Sequence, residues 1–321
     1  MKYTSIKSAD IFEADQYFNN CHASSIVSLP GERLAASWFA GTKEGADDVA
    51  IWIAIREDGN WGTPIKIADE ENLPHWNPVL YYTVSGQLQL YYKVGKKVKN
   101  WWTRFICSED HGRTWSSPID LVPGDIGGRG PVRCKPILLA DETLISPASI
   151  ETNDSWDAFV DISHDEGKTW TQSAYVPFDR NRFYGVGMIQ PTVWETAKGV
   201  HMLVRTSTAE IYRSDSTDGG RSWCEAYPIG LPNNNSGIDL VQLDNGNLVL
   251  IFNPVGLNWG PRTPLILRSS SDNGKTWGEP FVLEKEPGEY SYPAIIANGN
   301  HLYMTYTWKR KTIKFCEVLV E

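Results

Sequence analysis

The chain has 321 residues, 41% of them hydrophobic and 21% charged, which gives enough apolar surface for a substantial core and excludes a disordered protein. A formal charge of −9 and a pI near 5.3 provide no basic field, so nucleic acids and anionic membrane surfaces are excluded as partners. The 14 Trp and 14 Tyr exceed the needs of a core and favour strands and sugar-binding surfaces, which points to an all-β, carbohydrate-active chain.

From the N-terminus, Met1-Lys2-Tyr3-Thr4-Ser5 lacks the apolar run of a signal peptide, and no stretch of about 18 apolar residues follows. A cytoplasmic location is the expectation. Six segments then precede short apolar strands: His22-Ala-Ser24-Ser, His75-Trp76-Asn77-Pro78, Arg133-Cys-Lys135-Pro136, Met188-Ile-Gln190-Pro191, Ser236-Gly-Ile-Asp239 and Tyr290-Ser-Tyr292-Pro293. Their first residues are 53, 58, 55, 48 and 54 apart. Each is followed by a turn (Pro30-Gly31, Ser85-Gly86, Asp141-Glu142, Lys198-Gly199, Asn245-Gly246, Asn298-Gly299) and a second apolar run, so each predicts a hairpin. Between the second and third of these segments, Lys93 to Lys99 is the one basic cluster and reads as a solvated hairpin tip.

Later in each unit comes a second repeat, S-x-D-x-G-x-[ST]-W, centred on Asp110, Asp165, Asp218 and Asp272, which are 55, 53 and 54 residues apart. A worn copy, Arg56-Glu-Asp58-Gly59-Asn-Trp61, lies 52 before the first. In such a box the Asp caps backbone amides, the Gly supplies a positive φ and the Trp packs beneath, so the box is a structural hairpin tip. A period of about 54 residues gives six units with four strands each, an all-β six-bladed propeller spanning 1–321 as a single domain. The first strand of every blade lines the central channel. Alternation then brings the first and third residues of the six segments to one rim: His22, His75, Arg133, Tyr290, Asn77, Lys135, Gln190 and Tyr292.

The boxes at this spacing resemble the sialidase (neuraminidase) superfamily over essentially the whole chain. That resemblance implies an arginine triad gripping a sugar carboxylate, an acidic Asp and a Tyr nucleophile activated by a Glu. Guanidinium forks bind carboxylates bidentately, and a neutral phenol attacks where a carboxylate nucleophile would be repelled. On this resemblance Tyr290 is the nucleophile, Arg205 and Arg262 are the second and third arginines, and Asp48 is the acid, with Asp47 as the alternative. Two positions depart from the family pattern. His22 stands where the first arginine is expected, and serves as a cationic clamp or as a base; Met188 stands at the expected activating Glu, leaving Glu151 or Glu289 to replace it. Glu44 shares the Asp48 loop. His75, Trp76, Asn77, Arg133, Lys135, Gln190 and Tyr292 are assigned to the glycan-contacting wall, with Trp308 and Arg310 beside them.

The five cysteines show no metal-binding or disulfide spacing, and no phosphate loop, HExxH or EF-hand occurs, so no cofactor or metal is expected. The function that follows is an exo-glycosidase of the sialidase type acting on a terminal acidic sugar, with an acidic glycan as partner. The alternatives are a lyase or hydrolase acting at a uronic acid on the same rim, and a non-catalytic glycan-binding propeller.

Overall fold

The computed structural model describes residues 1–321 except 182 and 184. Six antiparallel sheets form the blades of a propeller, and among the described residues the only helical element is the single turn Val98–Asn100. Blade 1 contains Asn20–Leu29, Arg33–Gly41 and Ala50–Glu57, with its outer strand in two pieces, Asn60–Trp61 and Ile65–Ala68. Blade 2 runs through His75–Tyr82, Leu88–Val94, Trp102–Ser108 and Ile119–Asp120. Blade 3 runs through Ile137–Leu138, Leu144–Glu151, Trp156–Ser163 and Thr171–Gln172. Met188–Thr196, Gly199–Thr206, Glu210–Ser216 and Tyr227–Pro232 make blade 4, and Asp239–Gln242, Leu248–Phe252, Leu265–Ser270 and Phe281–Glu284 make blade 5. Blade 6 takes Tyr290–Asn298, His301–Trp308 and Thr312–Val320 from the C-terminal end, and its outermost strand, Tyr3–Asp10, from the N-terminal end.

The second strands are mostly buried, and wholly so in Leu88–Val94 and Leu248–Phe252, because each blade is covered on both faces by its neighbours. The outer strands, such as Tyr227–Pro232, are mostly exposed. Apolar layers fill the spaces between blades: Phe39 with Leu90 between blades 1 and 2, Val160 with Met202 between 3 and 4, Leu267 with Met304 between 5 and 6. Among the described residues no helix is long and apolar enough to cross a membrane.

The four Asp boxes share one geometry. In blade 2 the Asp110 carboxylate accepts from the Thr114 amide at 2.8 Å, the Arg113 amide at 3.0 Å and the hydroxyls of Thr114 and Ser108, while Gly112 takes φ 92°. The Asp58 segment is different: Asp58 and Gly59 both have positive φ and close a two-residue hairpin in which Glu57 pairs with Asn60. A box needs a Ser two residues before the Asp and a Thr or Ser four after it, and this segment has Arg56 and Gly62 there.

These donors hold the box carboxylates below the usual carboxylate range. The Thr114 amide and hydroxyl do so for Asp110, the Ser222 hydroxyl and amide bring Asp218 to about 2, and Thr276 acts likewise on Asp272. A depressed carboxylate contributes stability that is present above its unfolded value and lost as pH falls through the folded one. Replacing Asp110, Asp218 and Asp272 by Asn should therefore lower the Tm at neutral pH and flatten its decline between about pH 5 and pH 2, as read by calorimetry.

Candidate functional site

Each blade's first strand runs away from one face of the ring, which here is termed the mouth, and its second strand returns to it. The loops joining second to third strands therefore border the mouth, and the Asp boxes lie on the opposite face. At the start of four inner strands the ladder slips, between His22 and Ser25, Trp76 and Val79, Ile189 and Thr192, and Ser291 and Ala294. Inside each slip sits a left-handed residue: Ala23 (φ 55°), Asn77 (38°), Gln190 (54°) and Tyr292 (50°). Such a bulge breaks the rule that residues i and i+2 share a face. In blades 4 and 6 the first and third residues of the segment consequently part company.

In blade 6 this decides which tyrosine faces the mouth. Tyr290 is 1% exposed and packs in the apolar layer between blades 5 and 6, its ring against Trp308. Burial raises its phenol above the ordinary range, with Glu284 and Glu286 as the nearby charges. Tyr292 instead lies among guanidinium groups. Arg133, Arg205 and Arg262 each stand over its ring at 5.4 Å, and Arg205 Nη1 donates to its hydroxyl at 3.0 Å. The floor under the ring is Gly237, where a Cβ would come within 3.3 Å of the Tyr292 Cα and ring.

These three arginines come from blades 3, 4 and 5, and a fourth, Arg310, comes from blade 6. Arg133 is 2% exposed and donates through Nη2 to the Pro293 carbonyl, while its Nε, like that of Arg205, is buried without a partner. Glu289 gathers the other two, accepting from Arg262 Nη1 at 2.7 Å, Arg310 Nε at 2.9 Å and the Ser291 hydroxyl at 3.0 Å. Although burial opposes it, the two guanidinium groups draw the Glu289 carboxyl below its ordinary range. Arg310 also pairs with Glu44.

His22 completes the cluster. Its ring centroid lies 4.2 Å from that of Tyr292, and its Nδ1 lies 2.9 Å from Thr307 Oγ1, which accepts from the Ala23 amide. Burial pulls the imidazole well below its ordinary range, and Arg310, Arg262, Arg133 and Arg205 push it the same way. This environment favours the neutral imidazole, which can hydrogen-bond or accept a proton.

The remaining predicted residues take other places. Asp48 caps its own loop by accepting from the Thr42 amide at 2.9 Å and the Thr42 hydroxyl, and Asp47 pairs with Lys96 at 2.5 Å. Glu44 is the member of that loop that reaches an arginine of the cluster. Lys135 is turned into the channel, where it joins Asp239 at 3.0 Å and ties blade 3 to blade 5. His75 is satisfied within the wall, Nδ1 bonding the Val49 carbonyl and Nε2 accepting from the Glu70 amide, over Tyr92. Trp76 packs behind the cluster against Phe39 and Trp101 and donates to the Gly95 carbonyl. Asn77 is buried in its bulge. Met188 belongs to the core between blades 3 and 4, and Gln190 is the residue of that segment that reaches toward the mouth, donating to Glu151 at 3.2 Å. Burial raises the Glu151 carboxyl, with Arg205 opposing. The basic run is not wholly solvated: Lys93 is buried over Trp101, donates to the Arg129 carbonyl and is pulled down to about 8 by burial.

Sequence reasoning placed Tyr292 only in the wall, and it is the backbone bulge at Tyr292 that separates it from Tyr290. Among the described residues no group of three His, Cys, Asp or Glu gathers to hold a metal.

The BNR repeat-like domain family matches residues 32–304. The chain belongs to that family. It is similar over 95 residues, at 33% identity, to a sialidase of Clostridium perfringens, the match covering 24% of this chain and 24% of that protein. The chain thus spans about a quarter of that curated relative. In fold it is similar to a protein of unknown function from Dyadobacter fermentans, with TM-score 0.81, 15% identity and 99% of both chains covered. A Hadza microbial sialidase gives TM-score 0.80 at 16% identity over 97% of this chain and 68% of that one. The chain is a member of the sialidase/BNR superfamily, and it shares the propeller fold of these solved structures.

A neutral buried His22 has a pH signature. The unfolded chain takes up the proton first, so this residue's contribution to stability is full above about pH 6.5 and falls below it, by at most about 1.4 kcal/mol per pH unit. NMR should find the His22 ring still neutral at about pH 6, and His22→Gln should shallow the loss of stability on mild acidification.

Proposed function

We propose that the chain is a glycan-processing enzyme of the sialidase type, whose substrate is a terminal sugar bearing a carboxylate. The observation that supports this best is the convergence of Arg133, Arg205 and Arg262 on Tyr292, with Arg310 behind them. Unpartnered guanidinium N–H groups of Arg133 and Arg205 beside a tyrosine suit a planar anion, because each fork presents parallel donors.

In this reading the arginines hold the carboxylate and Tyr292 attacks the anomeric carbon, its developing phenolate steadied by the Arg205 donor. His22, whose ring lies 4.2 Å from that of Tyr292, takes the phenolic proton in this reading. A bound carboxylate offsets the guanidinium charges that depress His22, so substrate makes it a better base. Glu151, whose carboxyl burial raises, protonates the leaving oxygen and then activates the water that releases the sugar with retained configuration. This moves the nucleophile from Tyr290 to Tyr292 and the acid from Asp48 to Glu151.

The second reading, elimination at a uronic acid, is favoured by one observation: a neutral imidazole stands where a guanidinium would serve a sialidase. Here His22 or Tyr292 removes the proton α to the arginine-held carboxylate and Glu151 protonates the departing oxygen.

Release of sialic acid from an aryl sialoside tests the first reading, and an unsaturated, ultraviolet-absorbing product from uronate glycans tests the second. In either case Tyr292→Phe should lower kcat/KM by at least about 100-fold, while Tyr290→Phe stays within about threefold of wild type. The opposite order of effects would refute the assignment. Arg205→Lys should raise KM by roughly tenfold, since an ammonium group cannot reproduce the bidentate fork.

A further inference from the structure

Beside the arginine cluster, and bordering the same mouth, lies a cavity of about 490 Å³ lined by Glu151 and Trp156 of blade 3 and by Lys97 and Lys99 of blade 2. Its far wall is thus built from the only basic run in a chain of charge −9. Lys97 and Lys99 are exposed and enter no ion pair among the described residues, whereas their neighbour Lys96 is fixed to Asp47. The segment that carries them is anchored. Val98 packs against Trp76, Trp101 and Val132, the Trp101 indole donates to the Gly127 carbonyl, and Lys93 is buried beneath. The backbone carrying these two unpaired ammonium groups is therefore anchored beside the cavity.

Two further facts relate the cavity to the chemistry. Glu151 belongs to it and, through Gln190, also to the cluster side, so one carboxyl stands between the two spaces. Trp156 offers a half-buried indole that is braced edge-on by Trp259 at 6.2 Å, a rigid apolar surface of the kind on which a sugar ring stacks.

We infer that this cavity seats the sugar on the leaving side of the bond, and that it selects a leaving sugar carrying its own anionic group, held by Lys97 and Lys99 while its ring lies on Trp156. The inference rests on the proposed reading of the arginine cluster and adds the class of glycan: an acidic oligosaccharide with negative groups on two adjacent residues. Glu151, uncharged as the proton donor, does not repel that second anion.

The test measures binding, so it does not depend on turnover. Calorimetry on the Tyr292→Phe protein would compare a monosialylated oligosaccharide with one of matched length bearing two linked sialic acids, and a mono-uronate with a di-uronate. The di-acid should bind about fivefold more tightly in each pair that binds, as two partly solvated charge contacts allow, and that preference should shrink on raising salt. In the Lys97→Ala/Lys99→Ala protein, whose substitutions are at exposed positions, the ratio should fall to about one. Equal binding of mono-acid and di-acid by the Tyr292→Phe protein, or a preference that survives the added Lys97→Ala/Lys99→Ala substitutions, overturns the inference and leaves the arginine site standing. Failure of every acidic probe to bind, with or without Arg205→Lys, overturns both.

Discussion

Everything at the mouth depends on ring closure. The strand Tyr3–Asp10 lies against Thr312–Val320, bracing blade 6 with chain from the far end of the sequence, and the Lys2 and Glu321 backbones exchange hydrogen bonds at the seam. Arg133, Arg205, Arg262 and Arg310 come from four successive blades, so their convergence exists only once the circle is shut. Four like charges repel, and no local segment would gather them. The energy that holds them is that of the apolar layers between blades, with Glu289 and Glu44 offsetting part of the charge.

Within the closed ring, the bulges decide what the mouth contains. Plain alternation would present Tyr290 and Tyr292 together, and Met188 with Gln190. A left-handed residue at the third position instead sends the first residue into the blade interface and the third into the channel. The buried amide network around it, with Asn253 donating to the carbonyls of Pro264 and Tyr290, fixes the strand's start. A residue with positive φ is costly for a tyrosine, and persists because Gly237 opens the space its ring occupies.

The sequence made the fold legible because a propeller writes its period into the chain: four boxes at nearly equal intervals and six hairpin turns determine blade number without any long-range information. Arg205 and Arg262 were named through the resemblance to sialidases, and the structure brings both guanidinium groups over the Tyr292 ring. The difference between the two tyrosines was not legible. Their separation depends on a backbone twist of one residue, and nothing in Tyr-Ser-Tyr-Pro taken alone chooses between them. Lys135 and His75 were misplaced for a related reason: a polar residue pointing inward is as useful to a channel, where Lys135 meets Asp239, or to a blade interface, where His75 bonds Val49, as to a ligand. The N-terminal strand's place in blade 6 was equally invisible, since pairing at a separation of about 300 residues leaves no local trace.

The Asp boxes sit on the face opposite the mouth, where the Ser163 to Trp170 turn touches the blade 2 hairpin through Glu166 and the Ser85 amide. The sequence signature of such a chain and its arginine cluster are thereby written on two surfaces that share no residue. Substitution at the mouth leaves the boxes intact, and drift in the boxes leaves the mouth intact. The boxes therefore report the frame of the ring and carry no information about what the mouth binds.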